Sequence, residues 1–249
     1  MKLYSVNPTF LLDPGEVHVW LFELDNPGRY FPNGELFLSE EETRRANHYR
    51  FVKDRQRFVA RRSLLRQLLG QYCGIGPHEI TYQTNQFGKP SLSSQPFRFN
   101  LSACRNRVLI AITLEKEVGV DLEQVRRLPE LARMAEQWFS PSERNGIHAL
   151  APEMKLDAFY HVWTQKEAFA KAHGEGLSMP LQDFSVSVDP DLPGGLRSIR
   201  GVAEVVSAWK MYTEVPAAGW KVAVCVQVES EPDIHWCMPA TAESIFTGG

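Results

Sequence analysis

What most constrains the fold is an order of elements that runs through the chain twice. A strand candidate at Glu16–Leu24 (EVHVWLFEL), apolar on alternate residues at Val17, Val19 and Leu21, opens the first half. A helical stretch over roughly 40–72 follows, and Ser39-Glu-Glu-Glu42 starts it with a hydroxyl and an acid three residues later. It is expected to break near Lys53-Asp54 and to turn Phe51, Phe58, Leu65 and Leu69 toward the core, and Gly74-Ile-Gly-Pro77 ends it. Short strands then succeed one another: Ile80–Thr84, the turn Phe87-Gly-Lys-Pro90, Phe97–Leu101, and the continuous apolar run Val108–Thr113, which suits a buried sheet. Near residue 115 the pattern restarts, with a strand at Val118–Glu123 and a helix-rich region over about 128–173. Strands are expected at Phe184–Val188 and Glu204–Ser207, then a hairpin of Trp209–Thr213 and Trp220–Val228 through Pro216-Ala-Ala-Gly219. The tail after Pro232 shows no strong pattern and is expected to be loosely attached. The chain therefore reads as α+β, with two similar lobes at 1–115 and 116–249, each a small antiparallel sheet packed by helices. The similarity is one of element order, not a sequence repeat.

Composition sets the class. With 249 residues, 43% of them hydrophobic, the chain can bury a substantial core, and a net charge of -3 argues against a general nucleic-acid or membrane surface. The first twenty residues carry Asp13 and Glu16 and do not resemble a signal peptide, and no run approaches the roughly 18 apolar residues of a membrane helix. Cys73, Cys104, Cys225 and Cys237 are scattered without a Cys-x-x-Cys pair. That favours free thiols in the cytoplasm over a disulfide framework or a zinc site.

The chemistry concentrates in two places. On a strand, Asp121 and Glu123 share one face while Val120 and Leu122 share the other. Two carboxylates held that close repel unless a cation neutralises them, and oxygen-only ligands favour Mg²⁺ with phosphate oxygens; the alternative is a strand end with solvated acids. On the following helix, Glu167 and Lys171 are i and i+4, with Trp163 one turn earlier on the same stripe. An isolated pair of this kind is most often a surface ion pair, and Lys166 reads as a solubilising charge. A third feature is basic. From Arg44 to Arg66, nine Lys or Arg residues stand against one acid, Asp54, so an anionic partner is expected, a compact polyphosphate rather than a nucleic acid. Lys89 on its turn adds to the same charge.

These residues carry a resemblance. The chain resembles the 4′-phosphopantetheinyl transferases of the larger, surfactin-synthetase-activating type. Gly119-Val-Asp-Leu-Glu123 matches the family's G-[IV]-D-x-E motif, and Trp163-Thr-Gln-Lys-Glu167 through Lys171 its W-x-x-K-E-x-x-x-K motif. Gly88-Lys-Pro90, Phe99-Asn-Leu-Ser102 and Phe139-Ser-Pro-Ser-Glu143 match further segments in the family's order. The resemblance implies two lobes related by a pseudo-twofold, with coenzyme A between them. It also implies transfer of phosphopantetheine to a serine of an apo acyl or peptidyl carrier protein by a cytoplasmic monomer. It assigns Asp121, Glu123 and Glu167 to Mg²⁺, and Lys171 to the pyrophosphate and the leaving group. Lys89, Ser102 and, among the arginines, Arg57 and Arg61 fall to the nucleotide. The serine proton goes to Glu167 or Glu143. One position departs: where the family usually continues Asn-x-Ser-His, this chain reads Asn100-Leu-Ser-Ala103. Loss of a charge-assisted bond to phosphate, about 1.5–3 kcal/mol, weakens binding by roughly tenfold to a hundredfold. Arg105 is the candidate replacement. The rival readings are a non-catalytic coenzyme A or carrier-protein binder, and a nucleic-acid binder using the basic stretch.

Overall fold

The computed structural model describes residues 10–25, 33–176, 179–202, 204–228 and 230–238. Strand β1 (Glu16–Glu23) is followed by α1 (Glu40–Asn47), which is capped as its sequence requires. Ser39 Oγ accepts from Glu42 N at 3.2 Å and Glu42 Oε2 accepts from Ser39 N at 2.9 Å. The chain leaves the helix at His48 and re-enters it as α2 (Val52–Cys73), so the break comes a few residues before Lys53-Asp54. Phe51, which precedes α2 in an extended conformation, is 62% exposed and does not face the core. Gly74 closes α2 at φ 65°, the left-handed conformation that glycine adopts freely.

A small hairpin, β2 (Tyr82–Thr84) and β3 (Pro90–Leu92), leads into β4 (Phe97–Cys104), β5 (Arg107–Leu114) and β6 (Val118–Gln124). Three helices follow: α3 (Leu131–Trp138), α4 (Pro141–Ala149) and α5 (Lys155–His173). Then come β7 (Phe184–Val186), β8 (Leu196–Ile199), β9 (Trp209–Glu214), β10 (Trp220–Gln227) and β11 (Asp233–Cys237). Two expectations are corrected here. Glu204–Ala208 is a 3₁₀ turn rather than a strand, and the strand that pairs with β7 is β8. The tail is not loose as far as residue 238: β11 adds to the sheet parallel to β1, and its apolar residues Ile234 and Trp236 pack on the core beneath, while 239–249 lie outside the described residues.

The larger sheet has the order β11-β1-β5-β4 and the smaller one β6-β10-β9. They pack face to face through Val17, Val19, Leu109 and Ala111 on one side and Val118, Val120, Val222 and Val224 on the other. The outer face of the first sheet is covered by α2, where Trp20, Phe22 and Ile110 meet Leu64, Leu65 and Leu68. Each such fully buried side chain contributes about 1.5–3 kcal/mol. The outer face of the second sheet is covered by α5, through Phe159, Val162 and Phe169 against Ala223 and Cys225. Both sheets are thus buried on two faces, which explains why β5 and β10 read as continuous apolar runs. The expected division at 115/116 falls between β5 and β6, but β11, from beyond it, completes the first sheet. Among the described residues, no helix is long and apolar enough to cross a membrane.

One buried group makes stability depend on pH. His161 on α5 is 2% exposed and its Nε2 has no hydrogen-bond partner. Burial, with the nearby Lys221 ammonium adding to it, pushes its pKa down to about 4 from 6.5. The unfolded chain therefore takes up a proton first, and stability present above pH 6.5 is lost as pH falls toward 4. The full loss is about 3 kcal/mol. His161→Gln should flatten this part of the acid limb in urea unfolding between pH 7 and 4.5; an unchanged slope would assign the limb to other groups.

Candidate active site

The period of two along β6 turns Gly119, Asp121 and Glu123 toward α5 while Val118, Val120 and Leu122 enter the core between the sheets. Gly119 is what lets the helix lie close. A Cβ there would sit 2.1 Å from Ala168 O and 2.3 Å from Ala172 N, so any other residue would push α5 off the strand. This contact brings Glu167 and Lys171, one turn apart, to the carboxylates of β6.

Asp121 is the centre of the site. It is 3% exposed; Lys171 Nζ donates to its Oδ1 at 2.6 Å and Ser102 Oγ, from β4, donates to the same atom at 2.8 Å. Lys171 also donates to Ser102 Oγ at 3.3 Å, closing a triangle drawn from three elements. Asp121 Oδ2 is buried without a hydrogen-bond partner. A buried acceptor left open is costly and marks a place for a ligand atom.

Glu123 lies next on the same face. Its Oε2 accepts from the Cys104 thiol at 3.3 Å, a thiol that burial keeps protonated by raising its pKa to about 11. Burial raises the Glu123 carboxyl, and the Asp121 charge raises it further. Burial likewise raises Glu167; Lys171 pulls it down, while Asp121 and Glu123 push it up. The cluster therefore holds three carboxylates against one ammonium, with oxygen as the only donor atom of the three. That set fits a hard divalent cation such as Mg²⁺. The oxygens of Asp121, Glu123 and Glu167 do not all lie within 4.8 Å of one another; Lys171 is drawn onto Asp121 instead.

Lys89 is anchored where α5 ends, its Nζ donating to Ala172 O at 2.8 Å and Val118 O at 3.4 Å and pairing with Glu117. Burial lowers its pKa, and Glu117 opposes that shift. Beside it opens a cavity of about 570 Å³, lined by Asn85, Lys89, Arg98, His173 and Gly174 among others.

Three expected site residues are elsewhere. Glu143 is 1% exposed inside the second lobe, where its carboxylate accepts from Ser140 N at 2.7 Å and Val186 N at 2.8 Å and pairs with Lys166 at 2.8 Å. Arg57 is bound to Asp25 at 2.7 Å, and Arg61 lies 5.1 Å over the Phe58 ring. Neither arginine lines the cavity. Five of the nine cations of the basic stretch pair with acids that lie outside it in sequence. Asp25 pairs with Lys53 and Arg57, Glu35 with Arg55, and Glu42 with Arg62 and Arg66. Lys166 is not a solubilising charge: it is fully buried.

Residues 117–225, which contain the whole carboxylate cluster, match the family described as 4′-phosphopantetheinyl transferase superfamily. Residues 33–115 match the one described as 4′-phosphopantetheinyl transferase, N-terminal. Over 223 residues the chain is 33% identical to the 4′-phosphopantetheinyl transferase HetI of Nostoc sp. strain PCC 7120, covering 88% of this chain and 91% of that protein. The chain belongs to the 4′-phosphopantetheinyl transferase superfamily. It is also 29% identical to the 4′-phosphopantetheinyl transferase Sfp of Bacillus subtilis strain 168, over 79% of this chain and 85% of the relative. A third relative, the 4′-phosphopantetheinyl transferase psf-1 of Bacillus pumilus, is 31% identical over 77% of this chain and 79% of its own length.

Sequence reading missed two members of this transferase's site, both on β4. Asn100 Oδ1 accepts from Val120 N at 2.9 Å and Cys104 touches Glu123. The signal was available: Asn100, Ser102 and Cys104 alternate along one strand and so share a face. Across the strand, Ala103 shares its face with Phe99, which lines the cavity. Arg105 sits exposed in the β4–β5 turn at φ 55°.

Proposed function

We infer that this transferase moves 4′-phosphopantetheine from coenzyme A to a serine of an apo acyl or peptidyl carrier protein, releasing 3′,5′-ADP. The observation that carries the reading is the Asp121–Lys171–Ser102 triangle with an open Asp121 oxygen, on the same β6–α5 pair whose end Lys89 anchors. Family membership and the named activity of HetI and Sfp support it. The non-catalytic alternative has no observation in its favour, because the acids and Lys171 stand together.

Asp121, Glu123 and Glu167 would hold Mg²⁺, which when bound neutralises charge on the pyrophosphate. The remaining steps fall to the chain. Coenzyme A lies between the two lobes, which we take as pseudo-twofold related, with its nucleotide in the Lys89 cavity. Ser102 holds Asp121 in position. The serine oxygen forms a bond to the β-phosphorus as the bridging P–O bond breaks, and Lys171 hydrogen-bonds the departing phosphate of 3′,5′-ADP. The serine proton passes to Glu167, directly or through a water; Glu143, occupied by Lys166, is a poor competitor. One chain supplies all these groups, which fits a monomer. Its four free thiols fit the cytoplasm. The pairing of five of the nine basic-stretch cations with acids of the same chain supports a partner other than nucleic acid.

Mass spectrometry of apo carrier proteins incubated with the transferase, coenzyme A and Mg²⁺ tests the reading. A gain of one phosphopantetheine is expected, and its absence with every carrier class would refute transfer. Ala103→His should lower the KM for coenzyme A about tenfold, since it restores the imidazole that the family pattern places after Ser102. An unchanged KM would mean that other residues already supply that contact.

A further inference from the structure

The pairing of β1 with β11 creates a second cluster, on the first sheet and distinct from the carboxylate site. The strands run parallel in a register that sets Glu16 opposite Asp233 and His18 opposite His235. Because side chains alternate, two carboxylates and two imidazoles project from one face of this strand pair. They converge: His235 Nε2 lies 3.4 Å from Glu16 Oε1 and 3.3 Å from Asp233 Oδ2, and His18 Nε2 lies 3.7 Å from Glu16 Oε2. One ligand atom from each of Glu16, His18 and His235 falls within 4.8 Å of the other two. His235 Nε2 is buried and makes no hydrogen bond.

We propose that His18 and His235, through their Nε2 atoms, and the carboxylates of Glu16 and Asp233 form a zinc site that ties β11 to the first sheet. Four-coordinate zinc takes imidazole and carboxylate ligands at about 2.0–2.2 Å, and a tetrahedron with such arms has edges of about 3.3–3.6 Å. The three donor separations given above, 3.3, 3.4 and 3.7 Å, are close to such edges; Glu16, His18 and His235 form the mutually close set, and Asp233, close to His235, completes it. Two carboxylates balance the double charge of the ion, and mixed imidazole and carboxylate donors suit zinc better than Mg²⁺. The site also has an orienting partner. Tyr72 of α2 is buried with its hydroxyl 2.6 Å from His18 Nδ1, and that oxygen also accepts from Trp20 Nε1 at 3.1 Å. An Nδ1–H donated to Tyr72 leaves His18 Nε2 free to bind metal.

The consequence is structural. β11 is a five-residue edge strand whose ladder runs to β1 alone. Zinc bridging the two strands would fasten this edge strand to its one ladder partner. Glu-x-His and Asp-x-His are common three-residue patterns at opposite ends of the chain, and only the parallel register joins them.

The test uses untagged protein freed of metal by a chelator, then dialysed against zinc at low micromolar free concentration with excess Mg²⁺. One equivalent of zinc per chain is expected. His235→Ala, at a half-exposed edge position, should lose it, with affinity at least about tenfold lower. Asp121→Asn should retain it. Zinc should also slow amide hydrogen exchange at 233–237 in the wild type and not in His235→Ala, while carrier-protein transfer by His235→Ala stays at the wild-type rate. The site is refuted if no zinc is retained, if His235→Ala retains it equally, or if Asp121→Asn abolishes it, which would place the ion among the transferase carboxylates.

Discussion

Asp121→Asn is expected to lower the rate of phosphopantetheine transfer by about 10²–10³-fold at saturating coenzyme A and carrier protein, with the fold intact. Asparagine keeps the shape of aspartate, and its oxygen can still accept from Ser102. What it loses is charge. Lys171 now donates to Asp121 Oδ1 at 2.6 Å; against a neutral amide the ammonium keeps a hydrogen bond but loses its ion-pair partner. The open Oδ2 becomes an NH₂ group, so a cation loses a ligand and meets a donor. Glu167→Gln should act in the same way, and the double variant should fall little below either single one, because groups that act as a unit do not add. Initial rates across a Mg²⁺ series, with circular dichroism to check the fold, decide the matter. Turnover near wild type in Asp121→Asn would overturn the role of the cluster. Chelation of divalent metal should abolish transfer by the wild type and restore on adding Mg²⁺.

Much of this site was legible before the structure, for a physical reason. Asp121 and Glu123, like Glu167 and Lys171, are related by local periodicities of strand and helix, which need no tertiary information. Gly119 in the same motif is explained only by the structure, since its missing Cβ matters through the α5 backbone. The fold was legible where capping and continuous apolar runs spoke plainly, at α1, β5 and β10. It was not legible at β11, where five residues carry too little pattern and the pairing partner lies more than two hundred residues away. The pairing of five cations in the basic stretch was not legible, because Asp25, Glu35 and Glu42 lie outside it in sequence. The same limit hid Lys166. Its neighbours on the helix are readable, but its partner Glu143 is on another element, and no local rule distinguishes a buried lysine from a solvated one.

That pair carries the largest expected effect on stability. Lys166→Met should destabilise the transferase by about 3–5 kcal/mol, because it leaves the Glu143 carboxylate buried without its counter-charge. It also strips the donor from Leu181 O and Phe184 O, each now bonded to Lys166 Nζ at 2.7 Å. Glu143→Gln should cost less at neutral pH, since glutamine can still accept from either Ser140 N or Val186 N. Its cost should also depend on pH. Burial already lowers the Lys166 pKa and Glu143 opposes that shift, so removing the carboxylate depresses the folded-state pKa further below 10.5. The unfolded chain then binds the extra proton, and the deficit should shrink as pH rises toward 10. The double variant should recover part of the loss, a coupling of about 0.5–3 kcal/mol by urea unfolding. Kinetics separate this role from catalysis. If Glu143 were the base that takes the serine proton, Glu143→Gln would lose turnover per folded molecule; as half of a core ion pair it should lose stability and keep kcat. A Glu143→Gln protein that is stable but inactive would return Glu143 to the reaction and Lys166 with it.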